Sequence, residues 1–194
     1  MSYTLLGSAP SPYVRKIRML MESIPYELQE LNIYETQDGL TLNKVNPTNQ
    51  IPVLMDGDQR IWDSRVIYNY LNRKHKLYPE LSIDEENLIT AIDGAMTSAI
   101  NLLLMKRSGM NTDENFMFIN RQKERIESVL DFLKPYLGHQ GLNEWNFVTI
   151  SLYTLLDWGV YRNILDLKDR PECQKFLQTH GTRLIVQKTQ PPKV

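Results

Sequence analysis

The stretch that decides the fold is residues 46–64, which reads NPTNQIPVLMDGDQRIWDS. Residues 53–55 and 60–62 flank the sequence Asp56-Gly57-Asp58-Gln59, which is typical of a tight turn between antiparallel strands. Asp63-Ser64 follows directly and precedes apolar residues at helical spacing, so one of these two side chains is a natural helix N-cap. The stretch therefore predicts a β-hairpin followed at once by a helix.

Toward the N-terminus, the chain alternates between strand and helix patterns. Residues 3–6 and 26–33 are strand candidates, and residues 12–22 between them carry apolar side chains at the spacing of an amphipathic helix. Because only one crossover helix precedes the hairpin, the sheet is predicted to be mixed rather than fully parallel. The basic residues on the opposite face of the first helix are Arg15, Lys16 and Arg18.

Beyond Ile83, the hydrophobic pattern becomes purely helical. Apolar stripes predict one long helix over residues 88–103, another over 126–133 and a third that begins at Thr149. These helices cannot all cover so small a sheet, so they are expected to form a second, all-α domain beside it.

A proline-containing linker divides the two patterns. Residues 77–82 are the predicted linker, which separates an N-terminal domain over residues 1–78 from a C-terminal helical domain over residues 83–194. The last residues, 187–194, contain two adjacent prolines and predict a frayed tail.

Composition and charge argue against several kinds of partner. The 194-residue chain has a net charge of -1, so neither a nucleic-acid-binding surface nor a polybasic membrane patch is expected. No apolar run approaches the ~20 residues that span a bilayer, and residues 1–6 lack the pattern of a secretory signal, which together predict a cytoplasmic protein. The single cysteine, Cys173, fits a reducing compartment and shows no metal-ligand spacing with the histidines, so no metal is expected.

The loop before the first helix carries groups suited to binding an anion. Residues 8–13 read SAPSPY, and Pro12 suits the first turn of a helix. Ser11 is then at the helix N-terminus, where partial positive charge and unpaired N–H groups stabilise an anion. A simple N-cap is the alternative interpretation of Ser11, and the two roles are compatible.

Two further segments present polar groups to a peptide-like ligand. Pro52 enters a short strand, where a proline belongs at the first residue. A cis bond before it would expose the backbone of Ile51 to such a ligand, whereas a trans proline in a loop is the alternative. Asp63 and Ser64 offer a carboxylate and a hydroxyl to a ligand with ammonium and carboxylate groups, although helix capping explains them equally.

The order and spacing of these segments resemble the glutathione S-transferase superfamily. Ser11-Pro12-Tyr13-Val14-Arg15-Lys16 is similar to the family's S-P-[FY]-x-R-[KV] opening of its first helix, and residues 46–54 are similar to its N-P-x-x-[KQ]-[VI]-P-[VA]-L block. Asp63-Ser64-Arg65-Val66-Ile67 with Tyr70-Leu71 is similar to its [ED]-S-x-x-I-x-x-Y-L block. The resemblance continues into the helical half of the chain, where the sequence is similar to bacterial members of the family, and it is to members of the serine type.

The resemblance implies a fold, a ligand and a set of site residues. The fold is a thioredoxin-like α/β N-terminal domain with a mixed sheet, followed by an all-α C-terminal domain, and glutathione is the co-substrate. The hydroxyl that contacts the glutathione sulfur is implied to belong to Ser11, with Ser8 as a second candidate. The other implied residues are Ile51 at the cysteinyl part through its backbone, Asp63 and Ser64 at the γ-glutamyl end, Gln50 and Lys44 at the glycyl carboxylate, and Pro52 as a structural cis-proline.

The implied function is glutathione transfer by thiolate attack on a small hydrophobic electrophile, as in detoxification, by a homodimer. The alternatives are another glutathione-dependent enzyme (an isomerase, a thiol-lyase or a peroxidase) and a non-catalytic regulatory or interaction protein that retains the fold. The electrophile pocket is predicted from Tyr13 and an apolar stripe of the long helix, for which plain core packing is the alternative. The stripe residues are Met96, Ile100, Leu103 and Met105.

One departure from the family pattern lies at the predicted start of the third C-terminal helix. The family usually has Ser or Thr followed three residues later by Asp, whereas Thr149 is followed by Leu152. The sequence therefore predicts a lost capping interaction that costs ~0.5–2 kcal/mol of stability.

Overall fold

The described part of the chain, residues 3–137 and 142–192 of a computed structural model, contains four strands and eight α-helices. The elements are β1 (Tyr3–Gly7), α1 (Pro12–Leu20), β2 (Tyr26–Glu30), α2 (Thr36–Asn43), β3 (Val53–Asp56), β4 (Gln59–Ile61), α3 (Ser64–His75), α4 (Ile83–Arg107), α5 (Met117–Leu133), α6 (Phe147–Tyr161), α7 (Pro171–Gly181) and α8 (Leu184–Lys188). A 3₁₀ turn at Lys134–Tyr136 follows α5.

The strands form one mixed sheet in the order β2-β1-β3-β4. β1 is parallel to β2 and antiparallel to β3, and β3 is antiparallel to β4. Leu5 and Leu54 pair at the centre of the sheet, and both are fully buried. The β3–β4 turn passes through Gly57 at φ 59, a conformation that glycine adopts without steric cost. The predicted mixed sheet and hairpin are thus confirmed.

Helix α1 lies very close to the strand that precedes it. Val14 and Ile17 on its apolar face are fully buried. A Cβ atom added to Gly7 would come within 2.4 Å of Cγ2 of Val14, so only glycine allows this approach of strand and helix. The helix begins at Pro12, as predicted, and ends at Leu20, two residues before the predicted end.

Helix α2 was not predicted from the sequence. Its segment, Thr36–Asn43, buries only Leu42, so it lacks the apolar stripe that identifies an amphipathic helix. The turn before it is held by Asp38, whose carboxylate accepts a hydrogen bond from the backbone N–H of Asn32 at 2.7 Å.

The chain divides into two units, one comprising Met1–Pro79 with Thr182–Val194 and the other Glu80–Gly181. The first boundary falls inside the predicted linker. The sequence prediction assigned the last segment to the helical domain and treated residues 187–194 as a frayed tail. Instead, Thr182–Val194 groups with the first unit, and Thr189, within the predicted tail, is 1% exposed.

Within the helical unit, α4 packs against α5 and α6, and α6 packs against α7. Helix α4 begins with a complete capping box, in which the Ser82 hydroxyl accepts from the N–H of Glu85 and the Glu85 carboxylate accepts from the N–H of Ser82. By length and composition alone, α4 is apolar enough to cross a membrane, a test that the core helices of soluble proteins also pass.

The start of α6 corrects a sequence prediction. The helix begins at Phe147, two residues before the expected capping residue Thr149, and its cap is Asn146. The Asn146 Oδ1 atom accepts from the backbone N–H of Thr149 at 3.0 Å. The family-like acid that Leu152 replaces is therefore not needed, because capping is supplied from a position three residues earlier.

Candidate functional site

The strand register brings the three polar segments to the same end of the sheet. β1 runs antiparallel to β3 with Leu6 paired to Val53, so the loop that follows β1 lies beside Pro52. β4 also runs antiparallel to β3, with Ile61 paired to Leu54, so the chain that leaves β4 returns to this end. The predicted site residues at this end of the sheet are Ser8, Ser11, Ile51, Pro52, Asp63 and Ser64.

Ser11 is the N-cap of α1. Its backbone is extended, and its Oγ atom accepts from the backbone N–H of Val14 at 3.4 Å. Its own N–H donates to the carbonyl of Ser8 at 2.9 Å. Because a hydroxyl accepts through its lone pairs and still has one O–H to donate, capping leaves Ser11 able to donate to an anion. The first turn of α1 contains no acidic residue that would oppose such an anion.

The Ile51–Pro52 peptide bond is cis, the geometry that the family resemblance implies. Ile51 is half-buried and Pro52 is buried, while the preceding Gln50 is exposed.

Asn46 holds the loop that leads to this bond, a role that the sequence analysis did not assign. The side chain is 1% exposed, and its amide donates to the carbonyl of Gln50 at 2.8 Å. Its Oδ1 atom accepts from both the N–H and the hydroxyl of Thr48, at 3.0 and 2.8 Å. The Asn-Pro pair at the start of the 46–54 block was the only sign of this residue in the sequence. Its role in closing the loop can be recognised only from the hydrogen bonds in the folded structure.

Asp63 and Ser64 lie at the start of α3 and differ in their exposure. Asp63 is exposed and is the N-cap, and its Oδ1 atom accepts from the backbone N–H of Arg65 at 2.7 Å. Ser64 is 3% exposed, so its side chain offers little surface to a ligand. The Trp62–Asp63 bond is also cis. Of the two predicted residues, Asp63 is therefore the one accessible to a ligand through its side chain.

Lys44 lies at the C-terminal end of α2, and its side chain is exposed. Its backbone carbonyl accepts from the Arg60 guanidinium at 3.2 Å, which ties the end of α2 to β4. Arg60 was not a predicted site residue.

The predicted electrophile-pocket residues are divided between the two units. Tyr13 belongs to the first unit, is half-buried, and has the Lys16 ammonium 5.1 Å from its ring centroid. The others lie on α4 in the second unit, where Met96 is buried and the remaining three are half-buried. Those three are Ile100, Leu103 and Met105.

Two cations on α1 are buried, although the sequence placed them on the polar face of that helix. Arg15 is 1% exposed and Lys16 is 2% exposed. The Arg15 guanidinium donates to the carbonyl of Val186 in the C-terminal segment at 3.4 Å. The sequence pattern could not reveal this contact, because the two residues are 171 positions apart.

A second polar cluster ties the hairpin to α3 at the opposite end of β3. The Asp56 carboxylate accepts from the Lys74 ammonium and from the Tyr70 hydroxyl. The hydrogen bond from Lys74, followed by that from Tyr70, holds the pKa of Asp56 below its ordinary value. The bond to Asp56 in turn raises the pKa of Tyr70. Because it lies away from the three converging segments, this cluster serves to hold the hairpin on α3.

Cys173 is buried in the second unit, and its burial raises the pKa of the thiol to about 11. A thiol with so high a pKa is a poor nucleophile at neutral pH. Within residues 3–137 and 142–192, no three His, Cys, Asp or Glu side chains group as a metal site.

Comparison with known proteins connects this geometry to a family. Residues 5–79 match the family described as glutathione S-transferase, N-terminal domain. The chain is 26% identical to an uncharacterized GST-like protein, YibF, of Escherichia coli K12, over 97% of this chain and 98% of that protein. It is also 28% identical to glutathione S-transferase F10 of Arabidopsis thaliana, over 55% of each chain.

Solved structures share the fold along the whole chain. A glutathione S-transferase of Methylobacillus flagellatus with glutathione bound superposes with a TM-score of 0.87 at 23% identity, covering 98% of this chain and 100% of that one. A glutathione S-transferase of Methylobacterium radiotolerans in complex with glutathione sulfonate superposes with a TM-score of 0.84 at 21% identity, covering 100% and 96% of the two chains. At these identities, the likeness establishes the thioredoxin-like and helical architecture.

Proposed function

We propose that this chain is a member of the glutathione S-transferase superfamily, and that it binds glutathione and activates the thiol for attack on a small hydrophobic electrophile. The observation that carries this proposal is the convergence of three polar segments at one end of the sheet. They combine a helix N-terminus with a serine hydroxyl, the backbone of the half-buried Ile51 beside a buried proline, and an exposed carboxylate at a second helix start.

Each part of glutathione finds a complementary group in this arrangement. The Ile51 backbone pairs with the cysteinyl part, and the Asp63 carboxylate receives the γ-glutamyl ammonium, with Ser64 contributing through its backbone. Gln50 and Lys44, both exposed, are the candidates for the glycyl carboxylate. Ser11 donates to the sulfur, and Ser8 is the alternative donor.

The chemistry requires a lowered thiol pKa, because the thiolate is the nucleophile. A free thiol of pKa about 8.5 is only ~3% ionised at pH 7. Lowering the pKa by ~2 units requires about 2.7 kcal/mol of preferential stabilisation of the thiolate. A hydroxyl hydrogen bond to a charged group contributes about 1.5–3 kcal/mol, and a helix N-terminus about 0.3–1 kcal/mol. Ser11 on α1 combines the two, so this site needs no metal for the proposed step.

The test is calorimetric titration of the purified protein with glutathione, alongside Asp63→Ala and Asp58→Ala. Because Asp63→Ala removes a charge-assisted hydrogen bond to glutathione, we expect its affinity for glutathione to be about tenfold weaker. Asp58 is an exposed carboxylate in the hairpin turn at the opposite end of β3, so its replacement should leave binding unchanged. A wild-type protein that does not bind glutathione, or equal effects of the two variants, would overturn the proposal.

Thiol–disulfide exchange is disfavoured among the other glutathione-dependent reactions. Serine occupies position 11, and the cysteine of this chain is buried with a raised pKa. An isomerase, a thiol-lyase or a peroxidase would use the same activated thiolate, and a non-catalytic member of the family would bind without turnover. A screen of electrophiles with the wild type and Ser11→Ala separates turnover from binding.

The finer features of the proposal follow from family membership. They are a homodimeric assembly, a cytoplasmic location, a detoxification role and an electrophile pocket that includes the half-buried residues of α4. An electrophile tethered to a photoreactive group should label these positions if they line the pocket.

A further inference from the structure

The C-terminal segment is seated on the first unit although it follows the helical one. After α7 ends at Gly181, Thr182–Val194 groups with the glutathione-domain unit. Val186 and Thr189 are buried, and the Thr189 hydroxyl donates to the carbonyl of Ile185 at 2.7 Å, which closes the end of α8. The segment therefore has a defined place against this unit.

Two arginines of α1, three positions apart, donate to backbone carbonyls of this segment. The guanidinium of Arg15 donates to the carbonyl of Val186, and that of Arg18 to the carbonyl of Lys188, both at 3.4 Å. Carbonyls in the last turn of a helix lack an intrahelical N–H partner, and that end of a helix favours a positive charge. The contacts thus match cations on α1 to the end of α8.

Arg15 is bonded at both of its ends. Its backbone N–H donates to the carbonyl of Ser11 at 3.0 Å, which closes the first turn of α1, while its side chain reaches Val186. A buried guanidinium must keep its acceptors, because losing them costs the full desolvation of the charge. Arg15 therefore couples the place of the C-terminal segment to the conformation of the turn that carries the Ser11 hydroxyl.

We propose that Arg15 is a positioning residue, which anchors the first turn of α1 to the segment Thr182–Gln190 and so holds Ser11 in the orientation that stabilises the glutathione thiolate. The proposal rests on the proposed function for its consequence at the sulfur. Its structural part, the anchoring of the turn, does not depend on glutathione. Orientation matters because donors stabilise a charge only when they are already directed at its position.

Arg15→Met removes the donors and keeps a side chain about as long as the aliphatic part of arginine, and Arg15→Lys keeps the charge on a single donor nitrogen. Arg73→Met, an exposed arginine on α3, is the matched control. Amide hydrogen exchange of the ligand-free protein reports on the turn, since the N–H groups at positions 14 and 15 are those bonded to Ser11. We expect both amides to exchange about tenfold faster in Arg15→Met, with Arg15→Lys intermediate and Arg73→Met as in the wild type.

The second readout is the pKa of the bound glutathione thiol, followed by thiolate absorbance across pH. A misplaced turn should raise that pKa by about one unit in Arg15→Met and less in Arg15→Lys. Unchanged exchange at positions 14 and 15 would overturn the proposal. So would a uniformly faster exchange of the whole unit with an unchanged thiol pKa, which indicates a purely structural residue.

The test also covers a variant that does not fold and a wild type that does not bind glutathione. If Arg15→Met does not fold, Arg15→Lys and Arg18→Met carry the comparison, with smaller changes expected in the same direction. If the wild type does not bind glutathione, the proposed function fails, whereas the exchange data still decide whether Arg15 anchors the turn.

Discussion

At the scale of single residues, Ser11 shows how one hydroxyl serves both structure and chemistry. Its Oγ atom accepts from the N–H of Val14, so the sequence interpretation as an N-cap is correct. The same capping geometry fixes the hydroxyl at the end of α1 where an anion is stabilised. A substitution of Ser11 is therefore expected to change both the stability of the protein, through the cap, and the rate of conjugation, through the hydrogen bond to sulfur.

Ser11→Ala should lower kcat/KM for conjugation by about 10- to 100-fold at neutral pH, because one hydrogen bond to a charged sulfur is lost. It should also cost about 0.5–2 kcal/mol of stability through the lost cap. Steady-state kinetics with a small aromatic electrophile measure the first effect, and thermal unfolding the second. Ser11→Thr, which keeps the hydroxyl, is the control. A larger kinetic loss in Ser8→Ala would transfer the role to Ser8.

Asp56 should make the free energy of unfolding depend on pH. Its folded-state pKa lies below the ordinary value of 3.8, so the contribution of the ionised carboxylate is present at neutral pH and lost as pH falls below about 4. Asp56→Asn should therefore reduce the free energy of unfolding by about 1–2 kcal/mol at pH 7. Denaturant unfolding at pH 7 and near pH 3 checks this, since the two proteins should converge in acid. A difference that persists unchanged at low pH would contradict the role of the charge.

At the scale of secondary structure, the close approach of α1 to β1 positions the proposed thiolate site. The approach depends on the absence of a side chain at Gly7, where a Cβ atom would meet Val14 at 2.4 Å. Movement of α1 to relieve that contact would displace Ser11, which lies one residue before the helix.

Gly7→Ala should therefore destabilise the protein by about 1–3 kcal/mol and weaken glutathione binding, because the strand and the helix must separate. The matched control is Gly39→Ala on α2, where an added Cβ atom meets nothing within 4 Å. The control should be neutral or stabilising, since alanine favours helix over glycine by up to about 1 kcal/mol. Thermal unfolding and glutathione titration of both variants measure the contrast. Equal stability and equal glutathione affinity of the two variants would show that β1 and α1 can separate at Gly7 without cost.

At the scale of the whole molecule, two units are formed by a chain that leaves the first unit once and returns to it. The second unit, Glu80–Gly181, is inserted between the parts of the first. This arrangement makes the C-terminal segment part of the first unit rather than an extension of the helical unit. A truncation that removes α8 would therefore be expected to harm the first unit.

Assembly is the remaining property at this scale. The resemblance to glutathione S-transferases predicts a homodimer, and light scattering coupled to size-exclusion chromatography should give about twice the 22.7 kDa mass of the chain. The measurement should be repeated over a dilution series, because a weak dimer dissociates by mass action. A monomer at every concentration would contradict the prediction.

The sequence by itself determined features that depend on neighbouring residues. The Asp56–Gln59 turn, the helix starts at Pro12 and Ser64, and the mixed sheet could all be predicted because turn chemistry, capping and hydrophobic period are local properties. The family blocks added the cis geometry at Pro52 and the prediction that the ligand is glutathione. The change from a mixed to a purely helical pattern also predicted a domain boundary near residues 77–82.

Only the tertiary structure decided which side chains are buried and what they contact. Helix α2 escaped prediction because its single buried residue leaves no stripe, and the cap of α6 was misplaced by one turn because several polar residues could serve. Arg15 looked like a solvated cation, since its acceptor lies in a segment 171 residues away. Burial, capping partners and long-range acceptors depend on contacts between distant segments, so a local sequence pattern cannot predict them.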